Sequence, residues 1–259
     1  MTKKSSNIKI QIFKLVFASI LTAFCIILTR SMQYISIPIL PTARVTLGPA
    51  IIIFASIYLG PIYGMAVGIL SDTIGYFFFD ISSFGYLPGI TIMYGLLGLV
   101  SYFVFKFIKT IRNNQDMQVI FILLFSFLLL ILTVNILKTD IVVSGANTIE
   151  FTTTLKATVL SGVYTLSIIL VVGVFLYQHF YNKKKGKQDT LVMNVAITCT
   201  IVEIAIIMLV GSLVKSFFFG MDFSFVLIIQ MIVFFINVPM NTILISILVR
   251  TSQRLPIQF

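Results

Sequence analysis

Residues Gly68–Thr91 read GILSDTIGYFFFDISSFGYLPGIT. The run carries a carboxylate, Asp72, into apolar surroundings, then passes through aromatics, glycines and a Pro-Gly step. Gly64, Gly68 and Asp72 recur every fourth residue, so on a helix they share one face, with Gly75 beside them. Working outward, the rest of the chain sets the solvent for that helix. Of 259 residues, 59% are hydrophobic and 10% charged, and the mean hydropathy is +1.10. Eight acidic and 18 basic side chains cannot furnish a polar skin for a water-soluble body of this length. The surface must face lipid, and Asp72 lies at membrane depth.

In a bilayer the backbone must satisfy its own hydrogen bonds, which leaves helices or closed barrels. The long apolar runs lack the alternation of barrel strands, so the fold is expected to be all-α, a polytopic transmembrane helix bundle. About eight spans are predicted: Lys14–Arg30, Val45–Leu59, Ile62–Phe79, Pro88–Ile108, Gln118–Leu137, Leu155–His179, Leu191–Phe219 and Phe223–Val249. The second is short, and the Gly60-Pro61 step after it predicts a hairpin between the second and third. The basic start before Lys14–Thr29 fits a signal peptide, but no small-residue cleavage site follows, so this segment reads as a retained helix.

The net charge of +10 comes from residues at span ends, which indicates orientation in the membrane and no nucleic-acid partner. With eight spans, 13 basic residues fall on the side of both termini; five (Arg30, Arg44, Lys138, Lys156 and Lys215) fall on the other. The expected localisation is therefore the cell membrane with both termini cytoplasmic. A basic cytoplasmic linker runs from Asn182 to Thr190, and the longest external segment from Thr139 to Thr154.

Several residues stand out chemically. Asp72 is either hydrogen-bonded for packing alone or an acceptor for a polar ligand ring; counted down from Phe79 it sits about 10 Å deep. Arg30 and Arg44 flank an external segment and run against the charge trend; they either snorkel to headgroups or engage an anionic ligand. Tyr76 and Tyr86 fit an interfacial belt or a stacking wall, and Pro88, Gly89 and Thr91 shape the loop above. Glu203 is a second mid-span acid, too far from Lys215 for a helical pair. Asn237 and Asn241 share a face around Pro239, for ligand contact or helix association. Ala18, Ser19, Thr22 and Ala23 form overlapping small-residue pairs, suited to internal packing or to docking another membrane subunit. Cys25, Cys199 and His179 match no metal motif, and neither a metal, a cofactor nor a catalytic constellation is expected, so the chain reads as no enzyme. The phosphate-loop pattern G-x-x-x-x-G-K-[ST] is absent, so ATP energy would come from a partner.

The ordered blocks Arg44-Val-Thr-Leu-Gly-Pro49, Leu59-Gly-Pro-Ile-Tyr-Gly64, Gly68-Ile-Leu-Ser-Asp-Thr-Ile-Gly75 and Gly85-Tyr-Leu-Pro-Gly-Ile-Thr91 resemble the substrate-binding S components of energy-coupling factor (ECF) vitamin transporters, and within that group most of all the folate family. The resemblance implies high-affinity capture of a vitamin, folate first, with pantothenate or a queuosine precursor as alternatives. It implies docking through Ala18, Ser19, Thr22 and Ala23 on a coupling subunit carried by two ATPases, and release by toppling in the membrane. The family has six spans. Residues 12–112 would then hold the ligand-site motifs, 113–189 an extra helical pair and the linker, and 190–259 the closing two spans of one membrane domain. A proton-driven secondary transporter, with Asp72 or Glu203 as relay, is the alternative of a different class.

Overall fold

The computed structural model describes residues 2–31, 36–37, 40–44, 46–79, 85–110, 114–138, 141–144, 147–150, 152–185 and 190–252; side chains are described at 8–30, 46–79, 85–110, 117–138, 152–183 and 190–252. The helices are α1 (Thr2–Ser31), α2 (Gly48–Leu59), α3 (Pro61–Phe79), α4 (Pro88–Thr110), α5 (Asn114–Lys138), α6 (Thr153–Lys185), α7 (Leu191–Val202), α8 (Gly211–Phe219) and α9 (Phe223–Ser252). Strands β1 (Ser36–Ile37) and β2 (Leu40–Arg44) pair antiparallel, as do β3 (Ile141–Ser144) and β4 (Asn147–Glu150). Two predicted external loops thus carry small hairpins. The side chain of Arg44, most of the basic linker and Arg254 lie outside the described residues.

Seven helical segments are long and apolar enough to cross a membrane: Ile8–Arg30, Pro61–Phe79, Pro88–Thr110, Met117–Lys138, Thr153–Lys183, Leu191–Phe219 and Phe223–Ser252. This is a multi-pass helical bundle. The eighth expected span, α2, has 12 residues and reaches about 18 Å, well short of the hydrocarbon thickness. Its burial explains how it persists. Residues Gly48 to Ser56 are all buried, so α2 is sheltered by protein on every side and need not match the bilayer. Gly60, at φ 110°, turns the chain directly into Pro61 of α3, giving the expected hairpin.

The first four helices pack closely on one another, α3 on α1, α2 and α4. Glycines set the approach of α3 and α4. A methyl on Gly98 would collide with the backbone of Gly64, and one on Gly68 with the carbonyl of Tyr94. The expected small-residue face is therefore a backbone-to-backbone crossing.

Helix α9 forms a second pillar, buried along most of its length and touching α2, α6 and α7. Helix α5 turns Met117, Phe121, Phe125, Leu128, Leu132 and Ile136 inward at helical spacing and leaves Ile122, Leu123, Phe127 and Leu130 open. Phe125 meets Phe235 of α9 edge to face, with ring centroids 4.9 Å apart. Helix α6 is the least buried of the crossing helices.

The segment predicted as one helix, Leu191–Phe219, widens over Glu203–Val210 into π-helix between α7 and α8. Nothing in the hydropathy marks it. Such segments are rare and concentrate at functional positions.

Candidate functional site

The site is built where the end of α1, the last turns of α3 and the start of α4 converge. Asp72 lies one turn below Gly75 on α3. Its Oδ2 accepts a hydrogen bond from Thr91 Oγ1 at 2.6 Å. Thr91 belongs to the first turn of α4, where Pro88 leads the helix. The Tyr86 hydroxyl stands 2.7 Å from the same Thr91 oxygen and 3.5 Å from Thr73 Oγ1. A polar relay, Tyr86–Thr91–Asp72, therefore links the loop before α4 to the carboxylate inside α3. With Thr91 Oγ1 donating to the carboxylate, the Tyr86 hydroxyl donates to Thr91.

Aromatic rings cover this relay. Tyr86 lies against Tyr76 at 5.3 Å and stacks on Phe77 at 5.7 Å between centroids. All three rings sit near the C-terminal end of α3, and the two tyrosines pair an apolar ring with a hydroxyl able to hydrogen-bond. Gly89 fits against α8, since a methyl there would come within 2.8 Å of Val214 Cγ1 and 3.0 Å of Phe218 Cε2. Gly89, in the first turn of α4, thus leans on the opposite wall of the bundle.

Arg30 bends inward. A methyl on Gly75 would stand 3.0 Å from Arg30 Nε, so the guanidinium lies directly over that glycine. The half-buried side chain is drawn against α3, one turn above Asp72. One turn below Thr91 on α4, half-buried Tyr94 lies within electrostatic reach of Asp72, Arg30 and Glu203. The structure thus brings Arg30, Asp72, Tyr76, Tyr86, Gly89 and Thr91 to one region.

Thr73, Phe77 and Tyr94 belong to the same region and were missed in the sequence. Phe77 follows Tyr76 directly and Tyr94 follows Thr91 by three positions, so counting helix faces onward from the chosen residues reaches Tyr94. Phe77 had no such signal, because it reaches Tyr86 only through the return of the chain.

The other candidates lie elsewhere. Glu203, at the start of the π segment and 1% exposed, accepts from Asn241 Nδ2 at 2.9 Å. Asn241 therefore ties α9 to the π segment. The small residues of α1 divide: Ala18 and Thr22 are buried inside the bundle, while Ser19 and Ala23 open outward among Leu15, Val16, Ile20 and Ile27. Among the described residues no group of three or more His, Cys, Asp or Glu is placed to hold a metal ion.

Comparison with known proteins matches residues 9–181 to the model of the family described as ECF-type riboflavin transporter, S component. No curated protein matches, and no solved structure does. The matched stretch is about two-thirds of the chain and runs from α1 through α6, including both helices set apart in the sequence as an extra pair. With that match over more than half of its length, the chain belongs to the ECF-type riboflavin transporter S component family.

Proposed function

We propose that this S component captures folate from outside the cell and presents it to an ATPase-driven coupling module. The reading rests on the convergence of Asp72, Arg30 and the Tyr76–Phe77–Tyr86 rings at one end of the bundle. A pteridine ring offers N–H donors to a carboxylate and a flat face to the aromatics, and the glutamyl tail of folate offers carboxylates to a guanidinium. Asp72 would receive the ring edge, Tyr76 and Tyr86 would stack on it, and Pro88, Gly89 and Thr91 would form the lid. Arg30 would take the tail, with Arg44 alongside.

Riboflavin is the second reading, favoured by the description of the matching family. Its fused ring would use Asp72 and the tyrosines in the same way, but it carries no carboxylate for Arg30. Titrating the purified protein with folate and with riboflavin, and reading the melting temperature, separates the two. Folate alone should raise it at sub-micromolar concentration. A shift with riboflavin only would replace folate, and a shift with neither would end both readings.

The same proposal covers docking and topology. The outward face of α1 around Ser19 and Ala23 would meet the coupling subunit, while Ala18 and Thr22 would shape that helix from within. Helices α5 and α6 pack on α7 and α9, and α1 packs on α2 and α3. The extra pair would accordingly leave the docking face open. Both termini would be cytoplasmic, by the distribution of the basic residues.

A further inference from the structure

Glu203 lies near the middle of a 29-residue crossing segment and is 1% exposed. It opens the π segment, where the helix widens between α7 and α8. Among the described residues its one hydrogen bond is accepted from Asn241 Nδ2 of α9, at 2.9 Å. Asn241 is fully buried, and its other polar atom, Oδ1, has no hydrogen-bond partner. A carboxyl and an amide thus meet with one bond made and one acceptor left over.

The groups that reach Glu203 from the packed elements supply no positive charge. They are Tyr94 on α4 and, one turn back on α7, Cys199. Helix α9 has no titratable residue from Phe223 to Val249. On α8 the one ionisable side chain, Lys215, lies twelve positions on, about three turns away. An ionised carboxylate would therefore be held by a single neutral donor, in a medium where burying an uncompensated charge is costly.

A proton removes both costs together. The neutral acid keeps a carbonyl oxygen for Asn241 Nδ2 and gains an O–H, the donor that Asn241 Oδ1 lacks. Acid and amide then close a ring of two hydrogen bonds, each group donating once and accepting once. Such a pair needs no cavity and no further ligand.

We infer that Glu203 is held as the neutral acid, paired through two hydrogen bonds with Asn241, so that a proton clamps the π segment to α9. Losing the proton takes away one of the bonds and leaves a charge at mid-membrane, so the clamp loosens as pH rises.

The test follows from linkage. Unfolding exposes the side chain to water, where it ionises above its ordinary pKa of about 4.3. Above that pH the folded chain holds one proton more than the unfolded chain, and stability falls with rising pH until the folded form ionises too. Thermal melting of the purified full-length chain from about pH 5 to about pH 8, wild type beside Glu203→Gln, reads this directly. Gln keeps an oxygen for Asn241 Nδ2 and offers an N–H to Oδ1, but it cannot titrate. The gap between the two should be small at the acid end. It should then widen by about tenfold in the folding equilibrium per pH unit, at the expense of the wild type. A gap that stays constant across the range would overturn the proposal, since it would mean a carboxylate charged throughout. If Glu203→Gln does not fold, infrared spectra of the wild type and Asn241→Leu decide. The wild type at neutral pH should show a carboxylic acid carbonyl band that shifts when Leu removes the amide. A spectrum with no such band, or with a band indifferent to Asn241→Leu, would equally overturn it.

Discussion

Helices α3 and α4 follow one another in the chain, as do α5 and α6, yet the two pairs are built on different principles. In the first pair glycine meets backbone: Gly64 against Gly98, and Gly68 against Tyr94. In the second, methyls on Gly162 and Gly173 would meet nothing within 4 Å. The α5–α6 contact is made by side chains, Thr133 to Tyr164 at 2.8 Å, Gln118 to Gln178 at 3.2 Å and Lys156 Nζ to the Leu137 carbonyl at 3.1 Å. Between helices in lipid there is no hydrophobic drive, so close approach or polar contact must supply the attraction. The close pair holds side chains at fixed distances and carries the candidate site. The loose pair leans on α7 and α9 and faces lipid with much of its surface.

The largest effect should come from closing the glycine crossing. Gly98→Leu cannot be accommodated without parting α3 from α4, and the loss of stability should be about 3 kcal/mol or more. Gly162→Leu, with open space around it, should change stability by less than about 0.5 kcal/mol. Thermal melting in detergent compares the two. Equal losses would erase the distinction between the pairs.

That distinction was only half legible in the sequence. The repeat Gly64, Gly68, Asp72 announced a packing face, because spacing by four is itself a statement about a helix surface. Gly162 and Gly173 gave no such repeat, and their openness depends on neighbours that spacing does not name. The eight apolar segments were readable, since lipid demands length and composition. That α2 survives at 12 residues was not, because its shelter is tertiary. At the site, Asp72 and Tyr86 were found separately, as a buried charge and an interfacial ring. Their link through Thr91 appears only when the start of α4 returns to α3. The division of Ala18 and Thr22 from Ser19 and Ala23 likewise needed the partners of α1, for small residues look alike from either side.

The next effect tests the close pair as a binding site. Asp72→Asn keeps an oxygen that accepts from Thr91, so the fold should persist. Loss of the charge should weaken vitamin binding by about 2 kcal/mol, about thirtyfold, the worth of a charge-assisted hydrogen bond. Unchanged affinity at unchanged stability would take Asp72 out of the pocket. A smaller effect is expected from Gly75→Ala. The added methyl, 3.0 Å from Arg30 Nε, must displace the guanidinium by a few tenths of an ångström. A ligand with carboxylates should then lose about threefold in affinity, while riboflavin, which has none, should lose nothing. Equal losses for both would mean that Arg30 frames the mouth without touching a carboxylate.

The last test belongs to the loose pair and asks whether it is loose throughout. Arg250, at the end of α9, lies with its guanidinium carbon 3.3 Å from the centroid of Tyr181 and 5.0 Å from that of Tyr177, both on α6. The planar cation stacked on Tyr181 is nearly desolvated, with Arg250 9% exposed, a setting in which such contacts are strongest. At the same end Tyr58 of α2 donates to the Ser252 carbonyl at 3.3 Å, which fixes the end of α9 to the first four helices. Helix α6 is therefore open along its lipid face, and near its C-terminal end it is held to α9 as well as to α5. Tyr181→Leu removes the stacking ring and keeps an apolar side chain, so stability should fall by about 1 kcal/mol. Vitamin affinity should not move, because the mouth lies at the opposite end of α3 from the α2–α3 turn. A drop in affinity with Tyr181→Leu would mean that α6 reports to the site through α9, and that the two pairs are coupled after all.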